Sequence, residues 1–106
     1  MKELWNEIVF AISNSKEIKN AIIRPVKPMD FSVELIKSFN ILYLVGDYYY
    51  IYEISLDNIL SIDKAVEKNG EIVYVIVDNK YNIYELKYKK KLYLKVKIIH
   101  GNPLSI

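Results

Sequence analysis

The chain contains no cysteine, glutamine or threonine, and only one arginine, one histidine and three glycines among its 106 residues. Without cysteine it can form neither a disulfide nor a zinc–thiolate site, and it has no thiol nucleophile. His100 has no second histidine with which to hold a metal ion. The chain also has no glycine-rich phosphate loop with a following lysine and no G-x-S-x-G serine. The sequence therefore predicts no catalytic residue, no metal ligand and no cofactor.

Long hydrophobic runs are also missing. No apolar stretch approaches the roughly 20 residues that a membrane-spanning helix needs, and Glu3 and Glu7 lie where a secretory signal would be apolar. Hydrophobic residues nevertheless make up 52% of the chain, which favours a folded protein. We expect one soluble, cytoplasmic domain over residues 1–106, without membrane contact. Abundant isoleucine, lysine, tyrosine and asparagine favour an archaeal or archaeal-virus source.

Charge is distributed unevenly although the net charge is only +2. Residues 30–78 carry nine acidic groups and three lysines, whereas residues 80–100 carry seven lysines and Glu85. The two segments therefore have opposite net charges of −6 and +6. Such asymmetry points to an interaction, including self-association in which an acidic face of one copy meets a basic face of another.

The N-terminal part has the periodicity of a helix. Its apolar residues recur at the i, i+3, i+4, i+7 spacing of one helix face: Leu4, Trp5, Ile8, Ala11 and Ile12. Residues 15–23 fit a second helix or a continuation, which Arg24-Pro25 ends because a residue before proline is disfavoured in the α conformation. We therefore predict a helical region over residues 1–24 and a stiff connector, with Pro25 and Pro28, over residues 25–38.

From residue 39 the hydrophobic period changes from 3.6 to 2, as in half-buried strands. Two-residue turns are predicted at Gly46-Asp47, Asn69-Gly70 and Asn79-Lys80. Residues 55–69 fit either a helix or a strand, and we favour a short turn at 55–59 followed by a strand. The prediction is an α+β fold in which one or two N-terminal helices pack on an antiparallel β-meander of five or six strands over residues 39–100, followed by a tail at 101–106.

A lysine-rich stretch near the C-terminus supports two interpretations. Alternation along the last two predicted strands places aliphatic residues on one face and lysines on the other, as in a sheet that is wet on one side. The alternative is a nucleic-acid surface in which lysines bind phosphates and tyrosine stacks on bases. Its candidate residues are Lys87, Lys89, Lys90, Lys91, Tyr93, Lys95 and Lys97. The near absence of arginine and the small net charge favour the first interpretation.

A tyrosine-rich stretch, "DYYYIYEI", gives the candidate for protein binding. Tyr48, Tyr50 and Tyr52 would share one face of a hairpin, where they either pack against the helices or form an open aromatic patch. An open patch would be the best protein-binding surface on the molecule.

Three function classes follow from these patterns. The preferred hypothesis is a small non-enzymatic module or accessory subunit that binds another protein or a second copy of itself. The alternative is a nucleic-acid-binding protein. A metal-dependent nuclease is a third possibility, because Glu85-x-Lys87 matches half of a PD-(D/E)xK signature, with Asp78 upstream and Glu7 as a possible further carboxylate.

Overall fold

A computed structural model describes residues 1–14, 18–19, 24–25, 40–89 and 93–104 of the protein. One helix opens the chain and strands dominate the rest. The elements are α1 (Lys2–Asn14), β1 (Ile18–Lys19), β2 (Arg24–Pro25), β3 (Ile41–Val45), β4 (Ile51–Ser55), β5 (Ile59–Val66), β6 (Ile72–Asp78), β7 (Ile83–Lys89) and β8 (Tyr93–His100), with 3₁₀ turns at Asp47–Tyr49 and Leu56–Asn58.

The strands form two sheets. Strands β5 to β8 form an antiparallel meander, and β3 and β4 form an antiparallel hairpin. Each sheet is extended by one two-residue strand, since β1 pairs with β8 in parallel and β2 pairs with β3 antiparallel. The predicted α+β class with antiparallel strands is confirmed. The prediction of one or two helices on a single meander of five or six strands is only roughly met, because the described residues form one helix and two sheets.

One apolar interior joins the helix and both sheets. Alternation along each strand turns every second side chain inward, where it leaves water together with the apolar stripe of α1. A register shift between Ile59 and Ser61 breaks the alternation of β5, so that Ile59 and Ile62 both face inward. The buried cluster contains Trp5, Ile8, Val9, Ile12, Leu42, Leu44, Tyr52, Ile54, Ile59, Ile62, Tyr74, Ile76, Tyr84, Leu86 and Val96.

A polar contact fixes α1 against the larger sheet. The Tyr74 hydroxyl donates a hydrogen bond of 2.7 Å to Glu7 Oε1, which also accepts one from Lys64 Nζ. Partial burial acts to raise the pKa of Glu7, but the two hydrogen bonds and the Lys64 charge together hold this pKa below its ordinary value. Burial and the bond to Glu7 raise the pKa of Tyr74. Glu7 is therefore a structural carboxylate.

The prediction of a helical region as far as residue 24 was wrong at residues 18–19 and 24, which are strands, whereas residues 15–17 and 20–23 lie outside the described residues. Residues Ile18 and Lys19 pair with Leu94 and Lys95 of β8, and Arg24–Pro25 pairs with β3. The helical spacing of the apolar residues at 18–22 is a local signal, whereas strand pairing is decided by residues more than 70 positions away. The connector predicted for residues 25–38 lies outside the described residues apart from Pro25.

The segment 55–69 follows the preferred prediction. A 3₁₀ turn at Leu56–Asn58 leads directly into β5, which ends at Val66. The Leu56 N–H donates to the Asn40 carbonyl and the Asn79 N–H donates to the Asn58 carbonyl, both at 2.7 Å. These bonds anchor the passage from the smaller sheet to the larger one.

The two hairpin turns of the larger sheet share one hydrogen-bond pattern. At 67–71 the Gly70 N–H donates to the Glu67 carbonyl, and at 78–82 the Tyr81 N–H donates to the Asp78 carbonyl. The fourth residue of each turn has positive φ, +80° at Gly70 and 61° at Tyr81. Both loops are therefore three residues long and the two-residue predictions were wrong by one residue, because the extra residue accommodates the strand twist as a bulge.

These paired turns predict opposite effects of two substitutions on stability. Gly70→Ala should lower the free energy of unfolding by about 1 kcal/mol, because a Cβ is disfavoured at positive φ. Tyr81→Asn should raise it by roughly 0.5 kcal/mol, because asparagine tolerates the left-handed region better than a bulky ring. Urea unfolding of both variants measures this difference, and a stabilised Gly70→Ala protein would contradict the assigned backbone.

Candidate functional site

The loop between β3 and β4 is longer than predicted. Val45 pairs with Ile51, so that residues 46–50 form the connection. The Gly46 N–H donates to the Tyr50 carbonyl at 2.9 Å, and the Tyr50 N–H donates to the Asp47 carbonyl at 3.3 Å. The prediction of a two-residue Gly46-Asp47 turn was therefore wrong, and β4 begins three residues later than a strand starting at Tyr48.

This loop separates the three candidate tyrosines. Tyr48 and Tyr50 lie in the loop with 89% and 44% of their surface exposed, whereas Tyr52 lies in β4 and is only 8% exposed. The ring of Tyr52 packs edge-on against Tyr84, with centroids 6.1 Å apart. The prediction that all three share one face was wrong, because the loop ends the alternation before β4 begins. Tyr48 and Tyr50 remain candidates for binding, and Tyr52 belongs to the core.

The loop sits on Tyr52 because glycine permits a close approach. A Cβ on Gly46 would lie 3.0 Å from the Tyr52 ring and 3.1 Å from Ile98, and one on Gly101 would lie 3.2 Å from Ile98. Any larger residue at Gly46 would push the loop away from the core. The loop that holds the exposed Tyr48 and Tyr50 therefore packs directly on the buried ring of Tyr52.

Tyr48 itself has an unusual backbone. Its φ of 59° and ψ of 20° place it in the left-handed region, where a bulky L-residue is an outlier. That conformation costs roughly 1–2 kcal/mol relative to a right-handed one. The Tyr48 and Tyr50 rings lie 6.5 Å apart and are tilted by 56° to each other.

The apolar exposure continues along the edge of β4. Ile51 and Leu104 are both exposed, and the Leu104 N–H donates to the Ile51 carbonyl at 2.7 Å. The C-terminal tail therefore lies against β4 at this point. We call Tyr48, Tyr50, Ile51 and Leu104 the aromatic patch.

The lysine-bearing face is mixed in charge. A groove of about 430 Å³ on this face is lined by three lysines and three carboxylates, together with Val96. Lys87 stands opposite Lys95, and Glu85 stands opposite Lys97 and 3.7 Å from the Lys87 ammonium. The carboxylates and lysines of this groove are Asp47, Glu71, Glu85, Lys87, Lys95 and Lys97. Their formal charges cancel, which is a poor match for a phosphate backbone.

The remaining nucleic-acid candidates are only partly described. Lys89 ends β7 opposite Tyr93, which begins β8. Lys90 and Lys91 lie outside the described residues. The buried side chains of Leu86 and Val96 and the exposed ones of Lys95 and Lys97 follow the predicted alternation.

The carboxylates of Glu85, Asp78 and Glu7, which the nuclease hypothesis would bring together, lie apart in the structure. Glu85 pairs with Val75, not with Tyr74 as the two-residue turn implied, and it lines the outer groove. Asp78 is buried and Glu7 contacts the inner residue Tyr74, so both lie on the other side of the sheet. Within the described part of the chain, no group of three metal-ligating side chains could hold an ion.

A second cavity, of about 300 Å³, lies between β4, the turn at 78–82 and the tail. Its wall contains Asp78 and Asn82, each only 7% exposed. Asp78 Oδ1 accepts hydrogen bonds from the backbone N–H groups of Lys80 and Asn82, and Oδ2 accepts one from Asn82 Nδ2, all at 2.9 Å. The sequence reasoning treated Asp78 only as a metal ligand and missed Asn82. The available signal is an aspartate at the start of a turn, whose carboxylate accepts a hydrogen bond from the backbone N–H two residues later.

Tyr84 connects this cavity to the core. Burial raises the pKa of Tyr84 to about 12, and the nearby Asp78 carboxylate and Tyr52 ring add to the shift, while the neighbouring Asn82 amide opposes it. The neutral phenol is therefore the form that the folded protein stabilises.

No family model, curated protein or solved structure matches this chain. Among the helices in the described ranges, none has both the length and the apolar character needed to cross a bilayer.

The Tyr84 pKa predicts a specific alkaline destabilisation. Because the folded pKa is raised above the unfolded value of 10, its stabilisation is complete below pH 10 and is lost as pH rises through about 12. The free energy of unfolding of the wild type should fall over that range, and Tyr84→Phe should make this fall smaller by roughly 2 kcal/mol. Chemical unfolding at several alkaline pH values measures the slope. Tyr81→Phe, at an exposed tyrosine, should keep the wild-type slope, and equal slopes for all three proteins would refute the assignment.

Proposed function

We propose that this protein is a non-catalytic module that binds another protein through the aromatic patch. The observation that carries the proposal is the group of exposed apolar side chains at this loop and at the start of β4. The Tyr48 and Tyr50 rings lie 6.5 Å apart, and the exposed Ile51 and Leu104 follow at the start of β4 and in the tail that is bonded to it. Exposed apolar residues in such a group are typical of a binding surface, and rings that contact a partner contribute through the area that they bury.

The chemistry of the patch suits protein recognition. Tyrosine supplies a large contact area with only two side-chain torsions to order, and aromatic residues are enriched in interface cores. Ile51, next to Tyr50 in the chain, and Leu104, which is bonded to Ile51, add exposed aliphatic surface. The exposed acids Asp47 and Glu53 lie within two residues of the patch along the chain, and polar residues are common at the edge of a binding surface.

The support beneath the patch favours binding without a large rearrangement. Tyr52 is buried against Tyr84, and Gly46 and Gly101 let the loop and the tail approach Tyr52 closely. A surface held in place in this way pays less ordering entropy when it binds.

Self-association through opposite charges has less support. The acidic residues Asp47 and Glu71, from the segment of net negative charge, line the same groove as the basic residues Lys87, Lys95 and Lys97. Much of the attraction between the two segments therefore acts within one molecule rather than between copies.

Nucleic-acid binding remains the second candidate, on one observation. Lys87 and Lys95 stand directly opposite each other, an arrangement of like charges that is unfavourable unless an anion or a carboxylate lies nearby. Glu85 already lies 3.7 Å from Lys87, which supplies that carboxylate within the protein. The protein-binding proposal is therefore preferred.

The proposal predicts that partner capture depends on Tyr48 and Tyr50. A purified full-length protein, immobilised and exposed to an extract of its source, should retain a protein that the double variant Tyr48→Ser/Tyr50→Ser loses at least about tenfold. Tyr81→Ser is the matched control, since Tyr81 is also an exposed tyrosine at positive φ but lies in a different turn. It should retain the same protein as the wild type.

Two results would contradict this proposal. Equal retention by all three proteins would show that the aromatic patch is not the binding surface. A chain that captures no protein but binds a single-stranded oligonucleotide, with an affinity that falls steeply with salt and with Lys87→Ala/Lys95→Ala, would make nucleic-acid binding the function.

A further inference from the structure

The turn between β5 and β6 carries an asparagine that is followed directly by glycine. Asn69 and Gly70 are both exposed, and outside the neighbouring residues no atom of the described chain lies within 4 Å of the position that a Cβ on Gly70 would take. An asparagine side chain and the backbone nitrogen of the next residue can close into a succinimide ring, and glycine hinders this attack least because it has no Cβ. The turn therefore presents a reactive amide to water.

Hydrogen bonds hold both reacting groups in the closed turn. Asn69 Oδ1 accepts the Glu71 N–H at 2.9 Å, and the Gly70 N–H donates to the Glu67 carbonyl at 2.9 Å. The ring closes only when the Asn69 side chain turns towards the Gly70 nitrogen and that nitrogen loses its proton. Both hydrogen bonds must therefore break first, and the reaction takes place from an opened turn.

We infer that Asn69 is a site of spontaneous hydrolytic modification, which the closed turn slows and which opens the β5–β6 hairpin once it has occurred. The Gly70 nitrogen attacks Asn69 Cγ and gives up its proton, and the bond between Cγ and Nδ2 breaks as Nδ2 takes up a proton and leaves as ammonia. Water then opens the succinimide at either carbonyl. The products are an aspartate at position 69, or an isoaspartate in which the main chain passes through the former side-chain carboxyl group.

An isoaspartate would change the length of the turn. Its extra main-chain methylene lies in a short loop that is closed by the Glu67 N–H, which donates to the Glu71 carbonyl at 2.8 Å. Among the described strands, β5 borders the larger sheet and pairs only with β6. Because the pairing of a hairpin is fixed by the length and type of its loop, the modification should loosen this edge strand. This effect does not involve the aromatic patch, so the inference is independent of the proposed function.

Asn79 provides an internal control, because it is exposed in the other hairpin turn and lies in the same tryptic peptide, residues 69–80. After incubation of the folded full-length protein at neutral pH, tandem mass spectrometry should find a gain of about 1 Da at Asn69, or of about 3 Da in H₂¹⁸O, with isoaspartate among the products. Asn79 should react at least about tenfold more slowly, because the Lys80 side chain hinders the attacking nitrogen. No gain at Asn69, equal rates at both asparagines, or aspartate as the sole product would overturn the inference.

Two variants test ring closure in guanidinium chloride, where the stability of the folded protein has no influence. Gly70→Ala should slow the reaction at Asn69 by at least about tenfold, and Lys80→Gly should speed the reaction at Asn79 by a similar factor. In the wild type, Asn69 should react at least about threefold faster when unfolded than when folded, because the turn is already open. Unchanged rates in the two variants, or equal rates for the folded and unfolded wild type, would contradict the assigned route.

Amide hydrogen exchange tests whether the modified hairpin opens. In the isolated isoaspartate form, the Glu67 amide should exchange at least about tenfold faster than in the unmodified protein. The Asp78 amide is the matched control, because it donates to the Asn82 carbonyl in the other turn, and it should keep its rate. Unchanged exchange at Glu67, or an equal increase at both amides, would refute a local opening of the β5–β6 hairpin.

Discussion

The structure depends on one shared apolar interior, in which Trp5 and its neighbours on α1 meet the inner faces of both sheets. Trp5, Leu44 and Leu86 come from the helix and from each of the two sheets, and all three are completely buried. A 13-residue helix is marginal in water by itself, and a two-stranded hairpin is no better. Each element therefore needs the others to remove its apolar face from water. The burial of apolar area is the main term that holds them together.

The exposed tyrosines and the polar cavity both occur where loops and the tail cover the apolar interior. Tyr52 fills the end of the core, and Gly46 and Gly101 let the loop and tail cross it at van der Waals distance. Tyr48 and Tyr50 therefore lie at the surface, on a loop whose position is fixed by the packing of Gly46 against Tyr52 and Ile98. At the neighbouring edge the turn at 78–82 closes around the Asp78 carboxylate, which produces the polar cavity. The aromatic patch and this cavity therefore both lie along β4, beside the tail.

Patterns with a local physical cause could be predicted from the sequence. Alternation of apolar and polar residues identified the strands from Ile41 onward, and the turn before β5 followed from residues 55–59. The lysine-bearing face of the larger sheet could also be predicted. Alternation along β8 alone places Lys95 and Lys97 on one face and the buried Val96 on the other. These features depend on period and propensity, which a single sequence contains.

Features decided by distant residues could not be predicted in this way. Ile18–Lys19 is a strand because β8 lies beside it, although its own spacing is helical. The loop at 46–50 is long because Tyr52 must reach the core, which the Gly46-Asp47 pair does not reveal. The cavity at Asn82 arises only after the turn has closed with Tyr81 at positive φ, a conformation that the sequence does not signal.

The fluorescence of Trp5 tests the shared interior most directly, because it is the only tryptophan in the chain. The account predicts a blue-shifted emission that acrylamide does not quench, and a single cooperative change in both properties that coincides with the loss of strand signal in circular dichroism. A native protein with full strand content but a solvent-exposed, readily quenched tryptophan would contradict the packing of α1 against the two sheets.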